Sequence, residues 1–143
     1  MEADEGGLEK FLTPVEVDAL LPSVENMLQE LDSRMARHRE LSEMLEDMEA
    51  YWGEDIRDPA NPEHEKHLLL HAQLQEAMSA ANESVRRIRE LGGHVKSYEQ
   101  GLVDFYSIRD GRPVFLCWRR GEERIKYYHE VGAGFSGRKP MKP

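Results

Sequence analysis

The residue types that could do chemistry lie mostly in the last third of the chain, where the only cysteine occurs among acids, a histidine and arginines. The polar set is Asp104, Cys117, Glu122, His129 and Arg138. A catalytic interpretation makes Cys117 a nucleophile and His129 its general base. A less specific interpretation makes Glu122, His129 and Arg138, together with Asp104, a binding site for a small anion at the edge of a sheet.

Three short strands are predicted to carry Asp104, Cys117 and His129, with Glu122 between the second and third strands and Arg138 after the third. From residue 102 onward apolar residues recur with a period of two, which predicts strands at 102–108, 113–119 and 124–130. Asp110-Gly111, between the first two strands, is a strong signal for a two-residue hairpin turn. We therefore expect a three-stranded antiparallel meander at 101–131.

The predicted register of the meander separates Cys117 from His129. The second turn is expected to pair Arg119 with Arg124, and side chains alternate between the two faces along each strand. His129 then lies on the apolar face. Cys117 lies beside Asp104 on the other face, where the carboxylate disfavours a thiolate. We therefore name no catalytic residue, and whether the protein is an enzyme stays open.

Tyr106, Phe115 and Tyr128 are predicted to form a cross-strand row on the second face, near Arg119 and Lys126. Aromatic side chains with basic neighbours can stack single-stranded bases. The chain, however, carries 28 acidic and 19 basic side chains and a net charge of −9, which disfavours nucleic acid as a partner. A cover formed by the tail or by another subunit is the alternative.

His64, His67 and His71 recur at spacings of three and four on a predicted helix, so their imidazoles share one face. The spacing is compatible with metal ligation. No cysteine accompanies the set, and the pattern of helical metalloproteases is absent. We expect solvated histidines, or histidines at the edge of the apolar stripe, at these positions and predict neither a bound metal nor another cofactor.

A helical region precedes the strands. Thr13-Pro14-Val15-Glu16 predicts a capping box that opens a short helix, and Pro22 is expected to end or kink that helix. A long helix to Trp52, a loop at 53–62 and a second long helix at about 63–91 follow, with Gly92-Gly93 as the stop signal.

The two long helices are expected to pair as an antiparallel hairpin within residues 11–91. Their apolar residues recur every three or four positions, as on helices with one buried side. In the simplest register, paired residue numbers sum to roughly 115, so that Met35 faces Ala81 and His38 faces Ala77. A stripe this long needs a further cover, which either the sheet or a second copy of the hairpin must supply. We predict a non-catalytic interaction or structural module that forms a homo-oligomer through its helices.

The ends of the chain are predicted to differ in order. Residues 1–10 are rich in glycine and acids and are expected to be disordered, whereas 11–143 form one domain. In the basic, glycine-rich segment 132–143, Phe135 is expected to anchor the segment to the sheet and to hold Arg138 near its edge.

Composition bounds the class of protein. Residues 1–91 carry 22 acidic and 9 basic side chains, and residues 92–143 carry 6 acidic and 10 basic ones. This asymmetry allows the basic part to pair with the acidic part, within one chain or between chains, or to bind an anion. The single cysteine and the absence of long apolar runs predict a cytoplasmic protein that does not enter a membrane.

The same segments resemble a known family. Leu20-Leu21-Pro22, Gly101-Leu-Val-Asp-Phe105, Leu116-Cys-Trp-Arg119, His129-Glu130 and Gly134-Phe-Ser-Gly-Arg138 resemble the uncharacterised bacterial family called domain of unknown function 2203. In this chain Tyr128 stands where the family pattern has Trp, and Tyr106 stands where it has Pro. The predicted helices and strands together make the expected fold class α+β, and the resemblance implies a bacterial cytoplasmic protein without an established activity.

Overall fold

The structure, a computed structural model, describes residues 9–141. Two helices precede an antiparallel sheet, so the fold class is α+β as expected. The regular elements are α1 (Pro14–Trp52), α2 (His64–Leu91), β1 (Gly93–Ser97), β2 (Leu102–Arg109), β3 (Arg112–Arg119), β4 (Tyr127–Glu130) and β5 (Lys139–Pro140), with short 3₁₀ helices at Gly53–Arg57 and Phe135–Gly137. The disorder expected for residues 1–10 falls mostly on residues 1–8, which lie outside the described residues.

The predicted capping box is confirmed at the start of α1, but the predicted break at Pro22 is wrong. The Thr13 backbone N–H donates to Glu16 Oε1 at 2.8 Å, and the Glu16 N–H donates to Thr13 Oγ1 at 3.2 Å. The helix then continues through Pro22, which is exposed. Leu21 and Val24 on either side are buried, and burial of one continuous apolar stripe outweighs the hydrogen bond that proline removes.

The described residues form two compact units. The first comprises residues 9–27 and 86–141, and the second comprises Leu28–Val85. Among the described residues no helix is long and apolar enough to span a membrane.

The second unit is an antiparallel helix pair. Arg34 donates to the carbonyl of Ala80 at 2.9 Å, and Trp52 Nε1 donates to Glu63 at 3.1 Å, so the helices run close to the register expected from the sequence. The buried residues of its core are Leu41, Leu45, Met48, Ile56, Leu70 and Ala77. The core fills the end of the pair next to the connecting loop.

The first unit contains a five-stranded antiparallel sheet with strand order β1-β2-β3-β4-β5. The expected three-stranded meander was therefore incomplete. Strand β1 follows the helix stop directly, because Gly92 takes a φ of +108° and turns the chain into the sheet. At Gly93 an added Cβ would lie 2.9 Å from Ile88 Cγ2 and 3.1 Å from Val103 Cγ1, so only glycine allows this close approach.

The register between β2 and β3 is confirmed, and the register between β3 and β4 is wrong by one residue. Asp110 and Gly111 both have positive φ, and Arg109 pairs with Arg112 as predicted. In β4, however, Cys117 pairs with Tyr127. A slip of one residue moves every side chain of a strand to the other face of the sheet.

Contacts outside the strands explain this shift. The Ile125 N–H, which the predicted register places in the sheet, donates to Asp18 Oδ1 on α1 at 2.7 Å. Glu122 folds back on the end of β3, where its Oε1 accepts from the Arg119 N–H at 2.8 Å. The connection therefore extends from residue 120 to residue 126, and β4 begins later than the local pattern indicates.

The charge asymmetry is partly compensated inside the first unit. Arg120 makes a two-pronged contact with Glu25, at 2.8 Å from Nη2 and 3.0 Å from Nε, and Arg89 contacts Glu9 at 3.1 Å. Arg120, in the basic part, thus pairs with an acidic residue near the start of the chain, and Arg89, at the end of α2, pairs with another. Residues 28–85 retain 14 acidic and 5 basic side chains, which equals the net charge of the whole chain.

Candidate functional site

Asp104, Cys117 and His129 meet on one face of the sheet. Asp104 is on β2, Cys117 pairs with it on β3, and the shifted register brings His129 of β4 to the same face. The ligating atoms of the three side chains all lie within 4.8 Å of one another. All three residues are buried, with 3%, 1% and 1% exposure. The prediction that Cys117 and His129 lie on opposite faces is therefore wrong.

Both ring nitrogens of His129 contact acceptor atoms. Nδ1 lies 2.8 Å from the Glu130 carbonyl oxygen, and Nε2 lies 2.9 Å from Asp104 Oδ2. A neutral imidazole carries only one N–H. If Nδ1–H donates to the Glu130 carbonyl, then the lone pair of Nε2 faces the carboxylate. If Nε2–H donates to Asp104 instead, then the lone pair of Nδ1 faces the Glu130 carbonyl, so a neutral ring leaves one of the two contacts without a proton.

The thiol of Cys117 is not activated for nucleophilic attack. Burial raises the pKa of Cys117 to about 11, and the neighbouring Asp104 carboxylate adds to the effect. Since the His129 nitrogens are already engaged with Glu130 and Asp104, neither is free to act as a base toward the thiol. The geometry thus disfavours a cysteine hydrolase, in part for an expected reason, the Asp104 carboxylate beside the thiol, and not because His129 lies on the opposite face.

Lys96 places a cation beside the cluster. Lys96 Nζ is 3.5 Å from Asp104 Oδ2 and 3.9 Å from the centroid of the Phe115 ring. The ammonium balances the charge of the Asp104 carboxylate when the imidazole is neutral, and it opposes any further cation in the cluster. The sequence offered no signal for Lys96, because it lies at a bulge in a strand that the pattern did not predict.

Glu122 and Arg138 form a second group, next to the backbone carbonyl of Cys117. Arg138 Nη2 lies 2.6 Å from Glu122 Oε1 and 3.2 Å from the Cys117 carbonyl oxygen, and the guanidinium stacks 3.9 Å from the ring centroid of Tyr127. The four residues expected at an anion site are thus close in the fold. The Arg138 charge already has the Glu122 carboxylate as its partner, so the anion site stays a prediction with less support than the sequence suggested.

The tail, residues 132–141, is attached mainly by Arg138 and by backbone pairing. Strand β5 pairs with β4, and the Met141 N–H donates to the Lys126 carbonyl at 2.8 Å. Phe135, the expected anchor, is 37% exposed and lies 5.0 Å from the Arg138 guanidinium. The anchor is therefore a charged, stacked side chain rather than a buried phenylalanine.

The aromatic row on the sheet face that carries Asp104, Cys117 and His129 differs from the expected row. Tyr106 and Phe115 stack with centroids 4.3 Å apart, but His129 rather than Tyr128 is the next ring, at 5.5 Å from Phe115. Tyr128 pairs with Leu116 and so belongs to the other face. Phe11 lies 5.8 Å from Tyr106 and covers part of the row, which leaves less surface for stacking bases.

The histidines of α2 separate in the fold. His64 Nδ1 contacts the Ile56 carbonyl at 2.9 Å, whereas His67 and His71 turn toward Glu49 of α1. Glu49 was absent from the sequence-based set because it lies eighteen residues before His67 on another helix. Only the helix pairing brings it to the imidazoles.

The sequence of the chain matches the model of one family of known proteins. The family model described as uncharacterized conserved protein (DUF2203) matches residues 10–141. No curated protein and no solved structure matches the chain.

Proposed function

The chain belongs to the DUF2203 family of uncharacterized conserved proteins, and within that family we propose for it a non-catalytic role in which Asp104, Cys117 and His129 bind a divalent transition metal of the zinc type. The observation that carries the proposal is the convergence of three unlike ligand atoms within 4.8 Å. Thiolate, imidazole and carboxylate together form a donor set that suits Zn²⁺ and does not suit Mg²⁺ or Ca²⁺.

The orientation of His129 supports a metal ligand. Histidines that bind metals commonly donate their other ring N–H to a backbone carbonyl, which fixes the ring and its tautomer. The contact of Nδ1 with the Glu130 carbonyl at 2.8 Å fits that arrangement and directs Nε2 toward Asp104. A tetrahedral zinc ion places its ligand atoms about 3.5 Å apart, so modest side-chain rotations would accommodate it.

The number of protons released on metal binding distinguishes this site from a surface site formed by carboxylates. In the metal-free protein the raised pKa of Cys117 keeps the thiol protonated at neutral pH. Zinc requires a thiolate, a neutral imidazole and a carboxylate. Binding of one ion at neutral pH therefore releases about one proton, from the thiol, whereas a simple surface site formed by carboxylates would release almost none.

Burial supports a structural rather than a hydrolytic metal. The three ligands are at most 3% exposed, so substrate has little access to the ion. Catalytic zinc keeps an open position for water, and structural zinc is enclosed. We therefore expect the metal to link strands β2, β3 and β4.

The test is metal binding by the full chain, measured with Zn²⁺ by calorimetry and with Co²⁺ by absorbance. For the native protein we expect one equivalent of the bound Co²⁺ to give a thiolate-to-cobalt charge-transfer band, and Cys117→Ser should remove that band. His129→Asn should weaken binding more than about tenfold. His94→Asn, which alters a histidine on the same face, is the matched control. Lys96→Met should strengthen binding, because it removes the opposing ammonium.

Two outcomes would overturn this proposal. One is the absence of the charge-transfer band when Co²⁺ is added in excess to folded protein. The other is proton release close to zero, measured in buffers of different ionisation enthalpy. Either result would leave the three residues as a hydrogen-bonded polar cluster that only stabilises the sheet.

Self-association through the helices is a second candidate role. The second unit, Leu28–Val85, has several large apolar side chains in contact with solvent, among them Tyr51 with 80% exposure, Leu69 with 57% and Leu68 with 55%. Met44, Met48, Tyr51 and Leu70 also line a shallow groove along the pair. Exposed apolar surface of this kind marks contacts between proteins.

Charge sets the conditions of that association. The helix pair carries 14 acidic and 5 basic side chains, so two copies repel each other at low ionic strength. We expect sedimentation to give a larger mass in about 0.5 M salt than in about 0.05 M salt. Tyr51→Glu should abolish the difference. A mass near 16.6 kDa at high concentration under both conditions would exclude this role.

A further inference from the structure

We propose that Glu49, His67 and His71 form a second metal site, in the helix pair, which binds a divalent transition metal and leaves coordination positions open to water. This site is independent of the cluster in the sheet. It shares no residue with that cluster and uses no thiolate.

The convergence of the side chains supports the assignment. His67 Nε2 lies 2.9 Å from Glu49 Oε2, and His71 Nε2 lies 3.4 Å from the same oxygen. The three ligand atoms fall within 4.8 Å of one another. The imidazole rings are nearly perpendicular, at 84°, with centroids 4.6 Å apart, so both Nε2 atoms can approach one point without the rings overlapping.

The scaffold places these ligands on regular secondary structure. His67 and His71 lie one helical turn apart on α2, a spacing at which two imidazoles can bind one ion. Glu49 comes from the antiparallel helix α1. Two histidines and one carboxylate form a donor set of zinc sites that keep an open position, and also of Fe(II) sites.

Exposure distinguishes this site from the one in the sheet. The side chain of His67 is 10% exposed, whereas those of His71 and Glu49 are 51% and 47% exposed. Solvent therefore reaches the ion from one side. The surplus of acidic side chains in residues 28–85 attracts cations to this unit.

The sequence pattern suggested the wrong third ligand. His64 shares the helical spacing of His67 and His71, but its Nδ1 is engaged with the Ile56 carbonyl at 2.9 Å. The expectation of solvated histidines depended on the lack of a further ligand. Glu49 supplies that ligand, and the proposal revises the expectation accordingly.

The experiment uses the full chain carrying Cys117→Ser, so that the thiolate site does not contribute. Zn²⁺ and Co²⁺ are titrated separately, and the histidine ring resonances are followed by NMR. We expect about one equivalent without a thiolate charge-transfer band, and perturbed resonances for His67 and His71. Adding His71→Ala or Glu49→Gln should weaken affinity more than about tenfold. His64→Ala, on the same helix, is the matched control and should leave affinity unchanged.

The result that would overturn the inference is equal metal affinity in the control and in the His71→Ala protein. Absence of binding to the folded Cys117→Ser protein would overturn it as well. Because His71 and Glu49 are about half exposed, their variants are expected to fold, and circular dichroism of the helices verifies this. Failure of this site would not affect the sheet site, which is followed by its thiolate band.

Discussion

Ionisation of Cys117 is expected to destabilise the metal-free protein at alkaline pH. The pKa of the thiol rises from an ordinary value of 9.0 to about 11, first because the side chain is buried and then because the Asp104 carboxylate is close. In the unfolded chain both influences disappear. Between these two pH values the folded state therefore keeps a proton on sulfur that the unfolded state has lost.

The sign and size of the effect follow from this difference. A folded-state pKa above the unfolded value means that the stabilisation is fully present below pH 9 and declines as pH rises toward 11. Two pKa units correspond to at most about 3 kcal/mol of unfolding free energy, since each unit is worth about 1.4 kcal/mol. At pH 8 the folded protein should carry about a hundredfold less thiolate than the unfolded chain.

The assay combines urea unfolding at several pH values between 8 and 11 with ultraviolet titration of the thiolate in the folded protein. Both measurements are made with chelator present and are repeated on Cys117→Ser. Tyrosines and lysines also titrate in this range, and subtraction of the variant removes their contribution. The difference in unfolding free energy between the two proteins should fall as pH rises.

A thiolate signal in the folded protein with its midpoint near pH 9 would refute this account of Cys117. A difference between the two proteins that stays constant from pH 8 to pH 11 would do the same. Either result would mean that the thiol is hydrated or that Asp104 does not act on it, and the proton count proposed for metal binding would then need to be revised.

Three further changes test the packing. Gly93→Ala should destabilise the protein by about 1–3 kcal/mol in urea unfolding, because its Cβ meets two buried side chains, whereas Gly132→Ala, with open space around it, should be near neutral. Pro22→Ala should raise the unfolding free energy by about 1–2 kcal/mol, because it restores a helical hydrogen bond at an exposed position, and an unchanged value would contradict this. Arg138→Ala should accelerate amide exchange in the tail more than Phe135→Ala does, and the reverse order would restore the phenylalanine as the anchor.

Local sequence patterns predicted the elements whose causes are local. The capping box at Thr13 and Glu16, the hairpin turn at Asp110-Gly111 and the helix stop at Gly92 each depend on backbone preferences within a few residues. The α+β class follows from the change of period near residue 102. These features could be read without knowing any distant contact.

Elements with weak local signals were missed. Strand β1 is five residues long and β5 only two, so their patterns are too short to recognise. Pro22 is a different case, because its local signal for a helix break is strong, but burial of the apolar stripe of the helix outweighs it. For the two short strands and for Pro22 alike, contacts made elsewhere in the fold decided the conformation.

The sequence by itself determined which residues are available for chemistry, and the tertiary structure decided which of them meet. The register of β4 depends on the bond from Ile125 to Asp18, a residue more than a hundred positions earlier in the chain. That bond places His129 beside Cys117. Helix pairing likewise brings Glu49 to the histidines of α2. Periodicity describes the face of one element, whereas a site formed by several elements depends on their register, which long-range contacts set.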